Sequence, residues 1–314
     1  MTEKVGLAPG SAIYTGSIEK QSPLVSLILY NKNNVQVKKF QNIDELTNDT
    51  TELENNSQVW MHVEPISDAE SIFKLGLFYS LHPLVIEDIL SVKHRPKAEE
   101  YDGYIFIIIK YPEYRNKIMY FSQISFILKE NILLSFADTT PDRFSNIMKR
   151  LEKKDSKIKK ESIQYLLLAL IDYIVDNYFV ILEKVSDEIE DLEDEIINNP
   201  TKESIEHIHR LKRTLSEVKK NVWPMRELLN TLINAGTIEQ KYHIYYRDVY
   251  EHVINIIDIV EGNKDTVSSF LDIYLSTLSN RMNEIMKKVV QFAQIHLPQK
   301  DSKTVSFQDC LGLK

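Results

Sequence analysis

Two pairs of ionisable side chains lie four residues apart in helix-forming segments, which places each pair on one helical face. Asp172 and Asp176 form the first pair, inside an apolar run, and Asp248 and His252 form the second. A buried carboxylate must be paired, hydrogen-bonded or bound to a metal. Each pair therefore fits two interpretations, a structural polar network and a cation site, and the spacing alone favours the network.

A strongly acidic segment follows the first pair, with seven acidic side chains in the nine residues 187–195. One interpretation is a solvated helix face opposite the apolar seam of Ile189 and Leu192, paired with the basic side chains of the next helix. A second interpretation is a negative field that concentrates cations. The two interpretations are compatible.

Catalytic motifs are scarce. Glu206 and His209 form one Glu-x-x-His, the half-motif of di-iron bundles, but such a site needs a second copy on another helix and none occurs. A surface histidine is therefore favoured over a metal-dependent enzyme. The sequence also lacks GxxxxGK[ST], GxSxG and HExxH, so we expect a protein that is not an enzyme.

Composition limits the function classes further. The net charge of -8 argues against a nucleic-acid binder and suits a protein that meets cations. The single cysteine, Cys310, excludes internal disulfides and a cysteine-based zinc site, which fits a reducing compartment. Only 8 glycines and 10 prolines occur in 314 residues, which predicts long elements and few loops.

The most apolar segment, residues 165–182, contains two aspartates. Each aspartate near the centre of a span costs about 2.5–3.5 kcal/mol on insertion scales. We interpret the segment as a buried helix, and we predict a soluble cytoplasmic chain without a membrane span. The N-terminus also lacks the apolar stretch of a secretory signal.

The hydrophobic periodicity predicts an α+β fold in two parts. Residues 1–155 mix short β-branched or aromatic runs with short helical segments, which predicts an α/β domain with a mixed sheet. Residues 160–300 show only helical periodicity, over about 160–198, 202–233 and 245–297. These segments predict a bundle of three long helices, including an antiparallel hairpin broken at Pro200. Residues 301–314 are predicted to be a disordered polar tail.

Several segments together resemble the CorA family of magnesium/cobalt transporters, over about residues 8–287. The resembling segments are HPLVIEDILSVKHRPKAEEYDGYIFIIIKY, DYIVDNYFVILEKVSDEIEDLEDEI, HRLKRTLSEVKKNVWPMRELL, YYRDVYEHVINIIDIVE and LDIYLSTLSNRMNEIMK. The resemblance implies a homopentamer at the cytoplasmic face of the membrane, with a cytosolic funnel that leads to a two-helix pore. It also implies that divalent cations bound between subunits favour the closed state.

The resemblance also implies specific metal ligands. Asp88 and Asp248, one from each adjoining subunit, match the principal sensing carboxylates, and Glu87, Asp172 and His252 match a nearby secondary cation site. Mg²⁺ keeps several waters and is held by one or two carboxylates, which agrees with this assignment. The implied regulatory ligand is Mg²⁺ or Co²⁺.

The C-terminal sequence departs from the family pattern, since no Gly-Met-Asn occurs and neither of the two expected membrane spans follows residue 287. Truncation, a frameshift and a natural soluble paralogue all remain open as explanations. Two hypotheses follow, a cation-sensing part of a transporter and a non-transporting paralogue that acts as an oligomerising interaction protein. In both, the apolar stripe from Ile285 to Ile295 is predicted to be exposed unless subunits assemble.

Overall fold

A computed structural model describes residues 6, 8–47, 57–138 and 143–296. The strands in this part of the chain are β1 Leu24–Tyr30, β2 Val35–Phe40, β3 Gln58–Glu64, β4 Lys97–Tyr101, β5 Tyr104–Arg115, β6 Ile118–Lys129 and β7 Ile132–Ala137. The helices are α1 Ile43–Thr47, α2 Ala69–Phe78, α3 Pro83–Leu90, α4 Ser145–Glu152, α5 Lys157–Lys160, α6 Ile163–Asn198, α7 Lys202–Val222, α8 Met225–Asn234 and α9 His243–His296. The predicted α+β fold, a mixed sheet followed by long helices, is confirmed.

The strands form one seven-stranded sheet in the order β2-β1-β3-β7-β6-β5-β4. The β3–β7 pair is parallel and the other pairs are antiparallel, so the sheet is mixed. Asn116 and Lys117, both at positive φ, connect β5 to β6. Positive φ at both central residues of a two-residue hairpin matches the right-handed twist of the strands.

Both faces of the sheet are covered, because alternate residues of β5 belong to different hydrophobic clusters. Phe106 and Ile108 lie in the cluster with α2 and α3. Ile105, Ile107 and Ile109 lie in the cluster with α6. The layers are therefore, in order, the short helices, the sheet and the long helices. Burial on both faces explains why the sequence of β5 contains a continuous apolar run.

The long helix α6 joins the sheet to the helical bundle. Tyr178 is completely buried, and its hydroxyl donates to the backbone carbonyl of Lys110 on β5 at 2.8 Å. Further along α6, Val185 and Leu192 belong to the same hydrophobic cluster as α7 and α9.

The domain limits 1–155 and 160–300 remain a prediction, and the predicted tail 301–314 lies outside the described residues.

By length and hydropathy, α6 is the one helix in the described ranges that could cross a membrane. Its most apolar 18-residue window has a mean hydropathy of 1.7, and 61% of that window is buried inside the fold. This packing supports the interpretation of the segment as a core helix.

The second predicted helix, 202–233, is wrong as a single element. α7 ends at Val222 and α8 begins at Met225, with Trp223 and Pro224 between them. Proline has no backbone N–H and its ring clashes with the preceding turn, so a continuous helix is interrupted there. The start of α7 fits its sequence, since the Thr201 hydroxyl accepts from the Ser204 N–H in a capping box.

The acidic segment 187–195 is largely the solvated face that its pattern predicted, since Asp187, Glu190 and Asp191 are exposed. Glu188 is the exception and is buried. It accepts a hydrogen bond from the Tyr114 hydroxyl at 2.8 Å and lies 3.9 Å from Arg210 of α7. Glu188 therefore connects the end of the β5–β6 hairpin to both helices of the α6–α7 hairpin.

Candidate metal centre

The packing of α6 against α9 brings together three potential metal ligands, Asp172, Asp176 and His252. One ligand atom from each lies within 4.8 Å of those of the other two. The spacing of four residues places both aspartates on one face of α6, and α9 contributes the imidazole. We call these three residues the α6–α9 cluster.

The carboxylates of the α6–α9 cluster are unfavourably placed without a cation. Burial raises the pKa of Asp172 above its ordinary value, and the negative charge of Asp176 raises it further. His252 and Arg150 oppose this rise, while Asp248 adds to it. Asp248 is therefore close enough to act on the cluster electrostatically, and a bound cation would relieve the repulsion among the three aspartates.

The imidazole of His252 has an unused nitrogen. Its Nδ1 is buried without a hydrogen-bond partner and lies 4.0 Å from Asp172 Oδ1. The ring of Phe179 contacts the imidazole edge-on, with centroids 5.9 Å apart. Carboxylates suit Mg²⁺ and imidazole suits later transition metals, so this donor set fits Mg²⁺ through oxygen and Co²⁺ through both atom types.

Asp88 lies on α3 with both carboxylate oxygens engaged. Lys97 Nζ lies 2.6 Å from Oδ2, and His94 Nε2 lies 3.0 Å from Oδ1. Burial alone would raise the pKa of Asp88, but the hydrogen bonds and charges of His94 and Lys97 outweigh burial and hold that pKa below its usual range. The neighbouring Glu87 accepts a hydrogen bond from the Gly10 N–H at 2.6 Å.

The five predicted ligands divide into two groups in a single chain. Asp88 and Glu87 lie on α3, whereas Asp172, Asp248 and His252 lie on α6 and α9. Within the described residues no hydrogen bond or ion pair joins Asp88 to Asp248, and Asp248 is exposed. Each group could therefore supply some of the ligands of a bound cation.

Three further residues lie beside the predicted ligands but were not predicted as part of the site, namely Asp176, His94 and Lys97. Asp176 could have been predicted, because its spacing of four residues from Asp172 was apparent in the sequence. No sequence pattern predicts the contacts of His94 and Lys97, since the turn after α3 and the entry into β4 bring them back to Asp88.

The model of the CorA-like Mg²⁺ transporter protein family matches residues 55–299, which is most of the chain. The chain belongs to this family. Members are transporters, which agrees with the expectation that the chain is not an enzyme. Glu206 and His209, the half-motif of a di-iron site, are both exposed.

Curated relatives agree with the membership in the CorA-like family. The chain is 37% identical over 309 residues to the cobalt/magnesium transport protein CorA of Thermotoga maritima, covering 95% of this chain and 85% of the relative. It is 26% identical to the cobalt/magnesium transport protein CorA of Methanocaldococcus jannaschii, covering 81% of this chain and 80% of that relative.

Solved structures show the same fold. The complete CorA magnesium transporter of Methanocaldococcus jannaschii superposes with a TM-score of 0.69 at 22% identity, covering 89% of this chain and 84% of that chain. The soluble domain of the same transporter gives 0.67 at 21% identity, covering 80% of this chain and 97% of that chain.

The repulsion at Asp172 leads to a prediction about stability. Because the pKa of Asp172 is raised in the folded state, its contribution favours the fold below the ordinary value of 3.8 and is lost as pH rises through the raised pKa. Asp172→Asn should therefore be more stable than the wild type at pH 7 without metal. The side chain is 35% exposed, so we expect a gain below about 1 kcal/mol.

Urea unfolding in metal-free buffer at pH 4, 5.5 and 7 measures this difference, which should grow as pH rises. Asp187→Asn, an exposed position on the same helix, serves as the control. A loss of stability in Asp172→Asn at pH 7 would contradict the repulsion.

Proposed function

We propose that this chain senses divalent cations for a CorA-type Mg²⁺/Co²⁺ transporter and gates it from the cytoplasmic face of the membrane. Asp88 of one copy and Asp248 of an adjoining copy bind the regulatory ion, while Glu87, Asp172 and His252 contribute to a secondary site. The observation that carries this proposal is the α6–α9 cluster, where ligand atoms lie within 4.8 Å beside an exposed Asp248.

The physical basis of gating is charge repulsion between subunits. Two carboxylates that face each other across an interface repel without metal, and a divalent cation bridges them. The bridged arrangement holds neighbouring subunits together, and loss of the ion releases them. Mg²⁺ then shifts a two-state equilibrium, because it binds the bridged state better than the open one.

The surface of α9 supports assembly into a homo-oligomer, a pentamer by family resemblance. The helix buries side chains up to Tyr274, and beyond it a series of apolar side chains is exposed. They include Leu275, Met282, Ile285, Met286, Val289 and Phe292, whose exposed fractions range from 55% to 63%. An apolar stripe of this length is typical of an interface, here with copies of the same helix.

Self-association as a function of Mg²⁺ tests the proposal. We expect sedimentation velocity to show a larger oligomer in millimolar Mg²⁺ than in chelator for the wild type. Asp88→Asn and Asp248→Asn should lose most of this response, because each removes one of the bridged charges. Asp258→Asn, a further exposed aspartate on α9, is the control and should respond like the wild type.

A wild type whose oligomeric mass is the same with and without Mg²⁺ would contradict the sensing role. Equal responses in the wild type and in both Asp variants would instead contradict the assignment of Asp88 and Asp248.

A further inference from the structure

The carboxylate of Asp88 already has a cation in direct contact. Lys97 Nζ lies 2.6 Å from its Oδ2, while His94 Nε2 occupies Oδ1 at 3.0 Å. The side chain of Asp88 is only 16% exposed and that of Lys97 is 28% exposed. A divalent ion that binds Asp88 must therefore compete with an ammonium group that is partly shielded from water.

Lys97 also has a second carboxylate within reach. Its Nζ lies 2.7 Å from Glu99 Oε1, two residues further along β4. The other oxygen of Glu99 accepts a hydrogen bond from the Tyr101 hydroxyl at 3.1 Å, which fixes the orientation of the carboxylate. The ammonium therefore keeps one acidic partner when it leaves the other.

We propose that Lys97 is an internal competitor cation, which a divalent ion must displace from Asp88, and that Glu99 retains the displaced ammonium. This inference rests on the proposed function, since it takes Asp88 as a ligand of the regulatory ion. It assigns Lys97 and Glu99 a part in setting the ion concentration at which the sensor responds.

Two physical consequences follow from this arrangement. The apparent affinity of Asp88 for a metal is the intrinsic affinity multiplied by the fraction of time that Asp88 is free of Lys97. A monovalent ion carries no more charge than the ammonium it would replace, whereas a divalent ion carries twice as much. Lys97 therefore raises the threshold for Mg²⁺ and disfavours occupation by K⁺ or Na⁺.

Substitutions at Lys97 and Glu99 should shift the Mg²⁺ response in opposite directions. The full chain is titrated with Mg²⁺ alone by isothermal titration calorimetry, and sedimentation velocity follows assembly over the same concentrations. Lys97→Gln should lower the midpoint about five- to tenfold, as expected for loss of a charge-assisted contact of about 1–1.4 kcal/mol. Glu99→Gln should raise the midpoint about two- to fivefold, because Lys97 then has Asp88 as its remaining acidic partner.

Two further variants complete the set. Lys97→Arg keeps the positive charge and should restore a midpoint close to that of the wild type. Lys74→Gln removes a lysine whose ion pair with Glu70, 3.2 Å away on α2, is exposed, and it should leave the midpoint unchanged. A purely structural role for Lys97 would weaken Mg²⁺ binding in Lys97→Gln, so tighter binding separates competition from structural support.

The outcomes distinguish this inference from the proposed function. A wild type that responds to Mg²⁺, with unchanged or weakened binding in Lys97→Gln, would overturn the competitor role alone. Absence of a response in the wild type and in Lys97→Gln would overturn the sensing function and this inference with it. A response that appears only in Lys97→Gln would overturn the sensing function of the wild type, because the native chain would then not respond to Mg²⁺.

Discussion

Replacing Tyr178 with alanine is expected to lower the free energy of unfolding by about 3–5 kcal/mol, as for other large aromatic residues removed from a core. Tyr178 lies on α6, is completely buried and faces β5. Its ring contacts Phe121 of β6, with centroids 6.4 Å apart. The substitution would leave a cavity where the sheet meets the bundle, and whole domains have only about 5–15 kcal/mol of stability.

Urea unfolding followed by circular dichroism measures this loss, in chelator so that assembly does not contribute. Tyr178→Phe keeps the ring and removes only the hydroxyl that donates to the Lys110 carbonyl, so it should cost about 1 kcal/mol. If both variants lose the same stability, the hydrogen bond rather than ring packing joins α6 to the sheet, contrary to the prediction.

Val289→Lys is expected to raise the dissociation constant of the Mg²⁺-bound oligomer by at least about 100-fold. Val289 is 60% exposed in the single chain and belongs to the apolar stripe of α9. In the proposed assembly it would be buried against copies of α9. Burial of a valine contributes about 1.5–3 kcal/mol, and an unpaired ammonium in its place adds a desolvation cost.

Gln291→Lys is the matched control for this prediction. It introduces the same charge two residues away, on the opposite side of the helix from Val289 and at an exposed position. Sedimentation equilibrium over a range of concentrations should give the wild-type dissociation constant for this variant. An equal loss of assembly in both variants would mean that charge near the end of α9, and not its apolar stripe, controls association.

Exposure of the stripe was itself expected from the sequence. Ile285 and Phe292 are 62% and 63% exposed, as predicted for a chain without its neighbours. The side chain of Ile295, at the far end of the predicted stripe, lies outside the described residues. A three-residue and four-residue periodicity suffices to identify such a face, because it depends only on helix geometry.

Elements with a weak hydrophobic pattern were missed. β4, with the sequence KAEEY, carries few of the residues that favour strands, and it forms by pairing with the apolar β5. The short helices α1 and α5 were also missed, since four or five residues are too few to show a period. Pairing partners and tertiary packing, rather than local propensity, determine such elements.

The candidate metal centre also combines residues that the sequence predicted with a contact that it did not predict. The resemblance predicted Asp88, Asp248, Glu87, Asp172 and His252 as ligands, and the structure places the last two within one cluster. Their assignment to a metal stays a prediction, together with the contribution of Asp176. The lysine on Asp88 could not be inferred, because residues nine positions apart meet only where α3 turns back into the sheet.

The sequence by itself determined the division into a strand-rich part and a long-helix part, the apolar face near the end of α9 and the family, because hydrophobic period and motif identity are local properties. Only the tertiary structure decided which other polar side chains meet: Lys97 with Asp88, and Glu188 with Tyr114. Contacts between distant residues depend on how elements pack, and electrostatic interaction falls steeply with distance and exposure to water. A pattern of charges along the chain therefore shows which side chains are available, and the fold selects those that interact.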